Sequence, residues 1–258
     1  DLTCQNEAGG CIFEVMGAFN PSERAFDKTA MDTYFQLGKK VEVDIGYIKT
    51  ENVFKGYISA VTVSLGNEMP IIRVECTDVK GIMMNNHMTE QRTEEKLDDV
   101  VSNILQNQCY KNYYDDLNID TIETPQRKIE IAGESDFDFL VRLANRINYE
   151  FFVCQGTVFF RKPMPLKKPV LELEYGDNLL SFEHRVSLEG QVLELEVRSS
   201  DIEKGKVISA VAKSNVQMSS GPSAKKALNK LKKVIVDSSV GSEQEAKTLA
   251  ESLLKRLN

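Results

Sequence analysis

The sequence predicts a mainly β protein with an α+β insertion, in which two β-rich regions flank a unit built of a helix and a hairpin. Three observations carry this reading. Apolar and charged residues alternate with period two between Lys40 and Thr77, and β signals return beyond residue 166. Between these regions the apolar spacing becomes helical, first in residues 93–109 and again in 135–147. Finally, Gln155-Gly156 separates two aromatic and β-branched runs and suits a two-residue hairpin connection.

In KVEVDIGY, Val41, Val43 and Ile45 alternate with Glu42 and Asp44, which makes one strand face apolar and the other acidic. VFKGYISAVTVSLG and MPIIRVECTD supply the next strands. Gly46, Gly56 and Gly66 fall near expected strand ends or bends, where a missing Cβ permits positive φ or a bulge, and the short spacing predicts an antiparallel meander closing into a small barrel. In TEEKLDDVVSNILQNQC, Leu97, Val100, Val101, Ile104 and Leu105 form one helical stripe. Thr93 is the expected N-cap, with Glu94 and Glu95 in the first turn, where carboxylates suit the helix dipole. A polar, aromatic-rich passage over residues 110–126 leads to KIEIAG, which alternates again.

Ser135 and Asp138 have the spacing of a capping box, with Asp where Glu or Gln is usual. Phe139, Leu140, Leu143, Ala144 and Ile147 follow as the apolar face of a helix expected to end near Asn148. YEFFVC and TVFFR form the hairpin. Pro163, Pro165 and Pro169 then crowd RKPMPLKKPV, which lacks ladder donors and reads as a stiff linker and domain boundary. Past it, VLELEYG, LLSFEHRVSLEG, VLELEVRSSD and KVISAVAKS read as strands, and residues 213–233 as a long loop. Ser242 and Glu245 cap a last helix whose apolar positions are Ala246, Leu249, Ala250, Leu253, Leu254 and Leu257. The expected domains are a first β-barrel over 1–86, an α+β middle domain over 87–165, and a second β domain over 166–258 that ends in a helix. The two β regions can be laid beside each other with a few gaps, a match that shared strand composition also produces, so an internal duplication stays open.

Composition excludes several function classes. With 258 residues, 41% hydrophobic and 28% charged, the chain can bury a sizeable core, and no apolar run approaches the roughly 18–20 residues of a membrane span. A net charge of −7 argues against nucleic acid as the main partner. No basic stretch followed by an apolar run opens the sequence at Asp1, so no secretory signal is expected. The five cysteines, Cys4, Cys11, Cys76, Cys109 and Cys154, fit neither a disulfide framework nor a metal pair and read as reduced thiols. A Cys4–Cys11 bridge and a flexible turn around Gly9-Gly10 are both compatible with the spacing.

Candidate chemistry is sparse. His87 reads as a loop residue and His184 as a strand residue, and neither has a metal-ligand partner at helical or hairpin spacing. Nucleophile-elbow, phosphate-loop and dinucleotide signatures are absent. Asp98-Asp99, Asp115-Asp116 with Asp120, and Asp136 with Asp138 are the acidic groups that two-carboxylate hydrolysis or cation binding would use. Each also has a structural reading as a helix cap or solvated face, and that reading is preferred. Lys225, Lys226, Lys230, Lys232 and Lys233 form the one basic cluster, read as a solvated face ahead of a contact with an acidic protein surface. No catalytic, cofactor-binding or metal-ligating residue is therefore assigned, no cofactor is expected, and interface residues stay unassigned.

The order of motifs resembles the phage late control protein D and VgrG N-terminal family of tail-hub proteins. FQLGKKVEVDIGY followed by VFKGYISAVTV is similar to the family's F-x-x-G-x-x-V and F-x-G-x-I entry strands. ESDFDFLVRLANRINYEFFVCQGTVFFRKP resembles its S-D-x-x-F-L-x-R-L-A helix and following hairpin more closely, and LEYGDNLLSFE and VGSEQEAKTLAESLLKRL fall in the expected order, over residues 34–258. The resemblance implies two tandem small antiparallel β-barrels of tail-hub type with the helix-plus-hairpin unit between them, the first barrel tube-like. It also implies a homotrimer with pseudo-sixfold symmetry that joins a hexameric tail tube to a trimeric spike, working without turnover, in a virion tail or injection particle assembled in the bacterial cytoplasm. The chain lacks the tryptophan common near the end of LEVRSSD and the strands that usually complete the hub, which implies an incomplete second barrel. Two other classes are open to the sequence: a hub-associated hydrolase of cell-envelope glycan using an acidic pair such as Asp115 with Asp120, and a carbohydrate-binding module, disfavoured by the absence of Trp.

Overall fold

The structure is a computed structural model that describes residues 2–3, 8–66, 69–92, 96–122, 129–164, 169, 171–185, 187–189, 191–201, 205–214, 226, 228, 231–237 and 240–257. The chain forms two compact units: Asp1–Ala144 with Glu150–Arg161, and Asn145–Tyr149 with Lys162–Asn258. It is mainly β with curled sheets.

The first unit is organised by one antiparallel sheet. Its strands are β1 (Leu2–Thr3), β2 (Gly10–Met16), β5 (Lys40–Ile45), β6 (Glu51–Ser64) and β7 (Ile71–Thr77), in the order β1-β2-β7-β6-β5. The expected meander is β5, β6 and β7. The pairing skips Val53 opposite β5 and Ser59 opposite β7, two irregularities that both fall in β6, the kind of feature that bends and twists a strand. Phe54, Ile58, Ile72 and Val74 are buried on one face with Cys11 and Cys76, and Phe13, Val15, Val41 and Val43 pack against them. Each fully buried aliphatic side chain there contributes about 1.5–3 kcal/mol over its exposed state. Gly56 sits in mid-strand and not at a bend, and its φ is not positive. A Cβ there would lie 2.3 Å from the Thr77 carbonyl, so close strand approach is what requires glycine. Between β2 and β5 the chain forms the short ribbon β3 (Phe19–Asn20) and β4 (Ala25–Phe26), then α1 (Lys28–Tyr34), capped by Asp27.

The same unit continues with α2 (Val79–Asn85), β8 (His87–Arg92), α3 (Leu97–Leu105), α4 (Gln108–Lys111), β9 (Asp116–Ile119), β10 (Ile129–Ser135), α5 (Asp136–Ile147, as far as Ala144), β11 (Glu150–Cys154) and β12 (Thr157–Arg161). All five stripe residues of α3 are buried. The helix starts later than the sequence implied: Lys96 is the N-cap, and Asp98 and Asp99 occupy the first turn. The expected cap Thr93, with Glu94 and Glu95, lies outside the described residues. The α5 cap is as expected, with the Asp138 amide donating to Ser135 Oγ at 3.0 Å and the Ser135 hydroxyl donating to Asp138 Oδ2 at 2.7 Å. Phe139, Leu140, Leu143, Ala144 and Ile147 are all buried. Gln155 and Gly156 have φ of 50° and 80°, the left-handed pair that a twisted two-residue hairpin requires. β9 adds to this hairpin in parallel alongside β12, and β10 pairs antiparallel with β8.

In the second unit, β13 (Glu194–Asp201) lies between antiparallel β14 (Lys206–Lys213) and parallel β15 (Lys232–Val236), and α6 (Glu243–Leu257) packs on β13 and β14. Leu195, Val197, Ile208 and Ala212 meet Ala246, Leu249, Ala250 and Leu254 to form its core. The Glu245 amide donates to Ser242 Oγ at 3.2 Å, while the Glu245 carboxylate accepts from the Gly241 amide at 2.9 Å. Two expected strands are not found. VLELEYG and LLSFEHRVSLEG form no ladder among the described residues, apart from one bridge between Tyr175 and Leu179. Conversely, the end of the expected long loop supplies β15.

Candidate functional site

The polar residues most firmly fixed in the first unit are structural connectors. Asp78 caps α2: its Oδ1 accepts from the Lys80 amide and its Oδ2 from the Gly9 amide, each at 2.9 Å. The Lys80 ammonium lies 3.5 Å from Oδ2, and both side chains are buried. Burial pushes the Asp78 carboxyl above its usual range, against the pull of Lys80 and the two amides. This arrangement ties the start of α2 to the start of β2.

A second buried group joins three elements. Tyr110 of α4 donates its hydroxyl to Asp136 Oδ2 at the start of α5, and Asn86 Nδ2 donates to the Tyr110 oxygen at 2.8 Å and to Asp136 Oδ2 at 2.9 Å. The Asp136 amide donates to the Asn86 carbonyl at 3.0 Å. Burial raises the Tyr110 hydroxyl well above the ordinary tyrosine range, and the hydrogen bond to Asp136 adds to this, so it stays a donor. The group cross-braces the loop after α2 with two helices.

Of the acidic residues that the sequence offered for catalysis, Asp115 is a strut, Asp136 belongs to the buried brace and Asp138 to the α5 cap. Asp115 accepts from Lys55 Nζ at 2.5 Å, and Lys55 also reaches Glu42 at 3.5 Å. Asp115 and Asp120 flank β9, and the amides of both continue its ladder toward Gly156 and Phe160. Five residues of extended chain separate them by about 16 Å, and odd and even positions face opposite sides. Paired carboxylates in glycoside hydrolysis stand about 5–10 Å apart across one cleft, so this pair cannot share a substrate bond. Asp98 and Asp99 are successive helical residues that do not face each other. Asp136 is buried in its network, whereas Asp138 is exposed at the cap. His87 opens β8 instead of lying in a loop, opposite Ser135, with Nδ1 3.4 Å from the Gly133 carbonyl. His184 is exposed, outside any strand, and stacks near Phe182 at 6.2 Å. Among the described residues no group of three or more His, Cys, Asp or Glu side chains could hold a metal ion, and no helix is long and apolar enough to cross a membrane.

Of the basic cluster, Lys225 and Lys230 lie outside the described residues, and Lys226 is exposed. Lys232 is not a free cation: its Nζ lies 2.6 Å from Glu196 Oε2, and Arg198 Nε lies 2.9 Å from Oε1. Hydrogen bonds from Arg198 and then Lys232 hold the Glu196 carboxyl down to about 2.

What the surface does offer is exposed apolar side chains. In the first unit, Ile45, Tyr47 and Ile48 project from the turn between β5 and β6, and Met16, Val63, Leu65 and Met69 lie where β2, β6 and β7 meet the neighbouring turns. In the second unit, Leu171, Leu173, Tyr175, Leu180 and Phe182 are exposed along a segment without a ladder. Sequence reasoning missed Asp78, Lys80, Asn86, Tyr110 and Lys55, whose roles depend on contacts distant in sequence. Only Asp78, a cap type placed before VKGIMM, carried a local signal.

A curled five-stranded sheet, an α+β segment capped at Ser135 and a second small sheet under a helix define the class: this is the tail-hub-type fold seen in phage tail proteins. The 43 kDa tail protein of prophage MuSo2 from Shewanella oneidensis superposes with a TM-score of 0.71 at 18% identity, over 99% of this chain and 73% of that one. The tail protein from Neisseria meningitidis MC58 gives 0.66 at 15% identity, over 97% and 68%. The Francisella PdpA–VgrG complex gives 0.51 at 10% identity, over 93% of this chain and 40% of that one. In sequence, the model of the Alg8 N-terminal domain matches residues 16–256, and the chain belongs to that family. The matching model is thus not that of late control protein D or VgrG, although the fold that resemblance implied is the one found. No curated protein matches the sequence.

Proposed function

We propose that the protein is a structural baseplate hub of a contractile injection apparatus, a phage tail or a related secretion system, and not an enzyme. Three copies form a ring that adapts a hexameric tail tube to a trimeric spike, in a virion tail or injection particle assembled in the bacterial cytoplasm. The observation that carries this is the superposition of 99% of the chain on a prophage tail protein with a TM-score of 0.71. Two β-rich parts per chain, over 1–86 and 166–258 with an α+β part over 87–165 between them, give a trimer six similar surfaces for a sixfold ring. The exposed Tyr47, Ile48, Leu171, Leu173, Leu180 and Phe182 are the kind of apolar surface that an assembly covers.

Light scattering over a concentration series, at low and moderate salt, tests this reading. A mass three times the 29.1 kDa of one chain is expected. A chain that stays monomeric throughout the series contradicts it.

A further inference from the structure

Cys11 on β2 and Cys76 on β7 stand directly opposite each other in the antiparallel ladder. Both side chains enter the same apolar core, 5% and 2% exposed, and both thiols are free. The type of rung follows from its neighbours. Gly10 is opposite Thr77, so Gly9 is opposite Asp78, and the Asp78 amide donates to the Gly9 carbonyl at 2.9 Å. That rung is of the hydrogen-bonded kind, and the alternation of an antiparallel ladder makes the Cys11–Cys76 rung, two residues along, the same kind. Its Cα atoms are then about 5.5 Å apart, inside the window of about 4.4–6.8 Å that a disulfide spans, while the facing Cβ atoms, also about 5.5 Å apart on such a rung, must close to about 4.5 Å, so the bond forms only as β2 shifts toward β7.

We propose that Cys11 and Cys76 are a disulfide site that closes when the protein meets a small-molecule disulfide such as oxidised glutathione. One thiolate attacks a glutathione sulfur, the S–S bond of the reagent breaks, and the first glutathione leaves as a thiolate that takes up a proton. The second cysteine, deprotonated, attacks the protein sulfur of the mixed disulfide and expels the second glutathione. Two protein thiols are oxidised to one S–S bond and one glutathione disulfide is reduced to two thiols. Burial, with the neighbouring Cys11 thiol, raises the Cys76 thiol to about 11, so reaction requires local opening. β2 is the strand to open, because β7 holds one side of it and only the two-residue β1 the other. The product staples β2 to the sheet's central strand. Cys109 and Cys154 are exposed and take mixed disulfides under the same conditions, so a bulk thiol count does not read this bond.

The test uses the full chain, incubated with oxidised glutathione, alkylated and digested without reductant for mass spectrometry. The expected result is a linked pair of peptides carrying Cys11 and Cys76, lighter by two hydrogen atoms than the free pair and abolished by dithiothreitol. The linked pair is absent from Cys76→Ala, while wild type alone decides the question should that variant fold poorly. Recovery of both cysteines alkylated, a link from Cys11 to Cys4, or glutathione adducts alone at both positions would each overturn the proposal.

Discussion

Tyr110→Phe isolates the hydrogen bond at the centre of the first unit's polar brace, because the ring that is fully buried keeps its volume and only the hydroxyl is lost. In the native protein Asp136 Oδ2 accepts from Tyr110 and from Asn86, while Asp136 Oδ1 is buried with no hydrogen-bond partner among the described residues. Removing the hydroxyl leaves the buried carboxyl with the Asn86 amide as its remaining side-chain donor among the described residues. A hydrogen bond to a charged group contributes roughly 1.5–3 kcal/mol, and a Tyr→Phe change opens no cavity, so a loss of about 2 kcal/mol is expected. Urea unfolding followed by far-UV circular dichroism measures this through the shift in midpoint at unchanged slope. A loss under about 0.5 kcal/mol would refute the reasoning, since that is the range of surface substitutions without such a role.

Three further outcomes follow from other parts of the structure. Leu143→Asp, at a buried position on α5, places an unpaired carboxylate in the core at a cost of several kcal/mol by rough estimate, and proteolysis should find the first unit unfolded; a cooperatively folding variant contradicts this placement. Glu196 has its carboxyl held down to about 2 from an ordinary 4.5, so its contribution is present above pH 4.5 and lost as pH falls toward 2; Glu196→Gln should flatten that part of a stability-versus-pH curve, and an unchanged curve argues against it. Asp115→Ala removes a surface ion pair with Lys55, which costs at most about 1 kcal/mol and should leave the solution mass unchanged; loss of assembly would make Asp115 an interface residue.

The elements legible in the sequence are those whose signal is local. The stripe of α3, the Ser135 cap and apolar face of α5, the Gln155-Gly156 turn and the Ser242 cap of α6 each need only a few neighbouring residues to specify them. β2 was missed because Cys11, Ile12, Phe13, Val15 and Met16 are apolar on both faces, which erases the period of two, and its partner β7 is far away in sequence. β15 was hidden in a lysine-rich stretch and is fixed by a parallel pairing to β13 that no local pattern encodes. LELEY failed in the opposite sense: Leu171, Leu173 and Tyr175 alternate as a strand should, yet all three are exposed and among the described residues no strand pairs with them. Alternation specifies a strand's faces and not its partner. For the acids, residue type suggested chemistry, while the contacts of Asp115 with Lys55 and of Asp136 and Asp138 at the start of α5 are structural.

Two-dimensional averaging of negatively stained particles of the purified chain tests the hub account most directly. The account predicts rings with a threefold axis and six comparable lobes. Particles of single chains, or rings whose lobes number other than six, would contradict it.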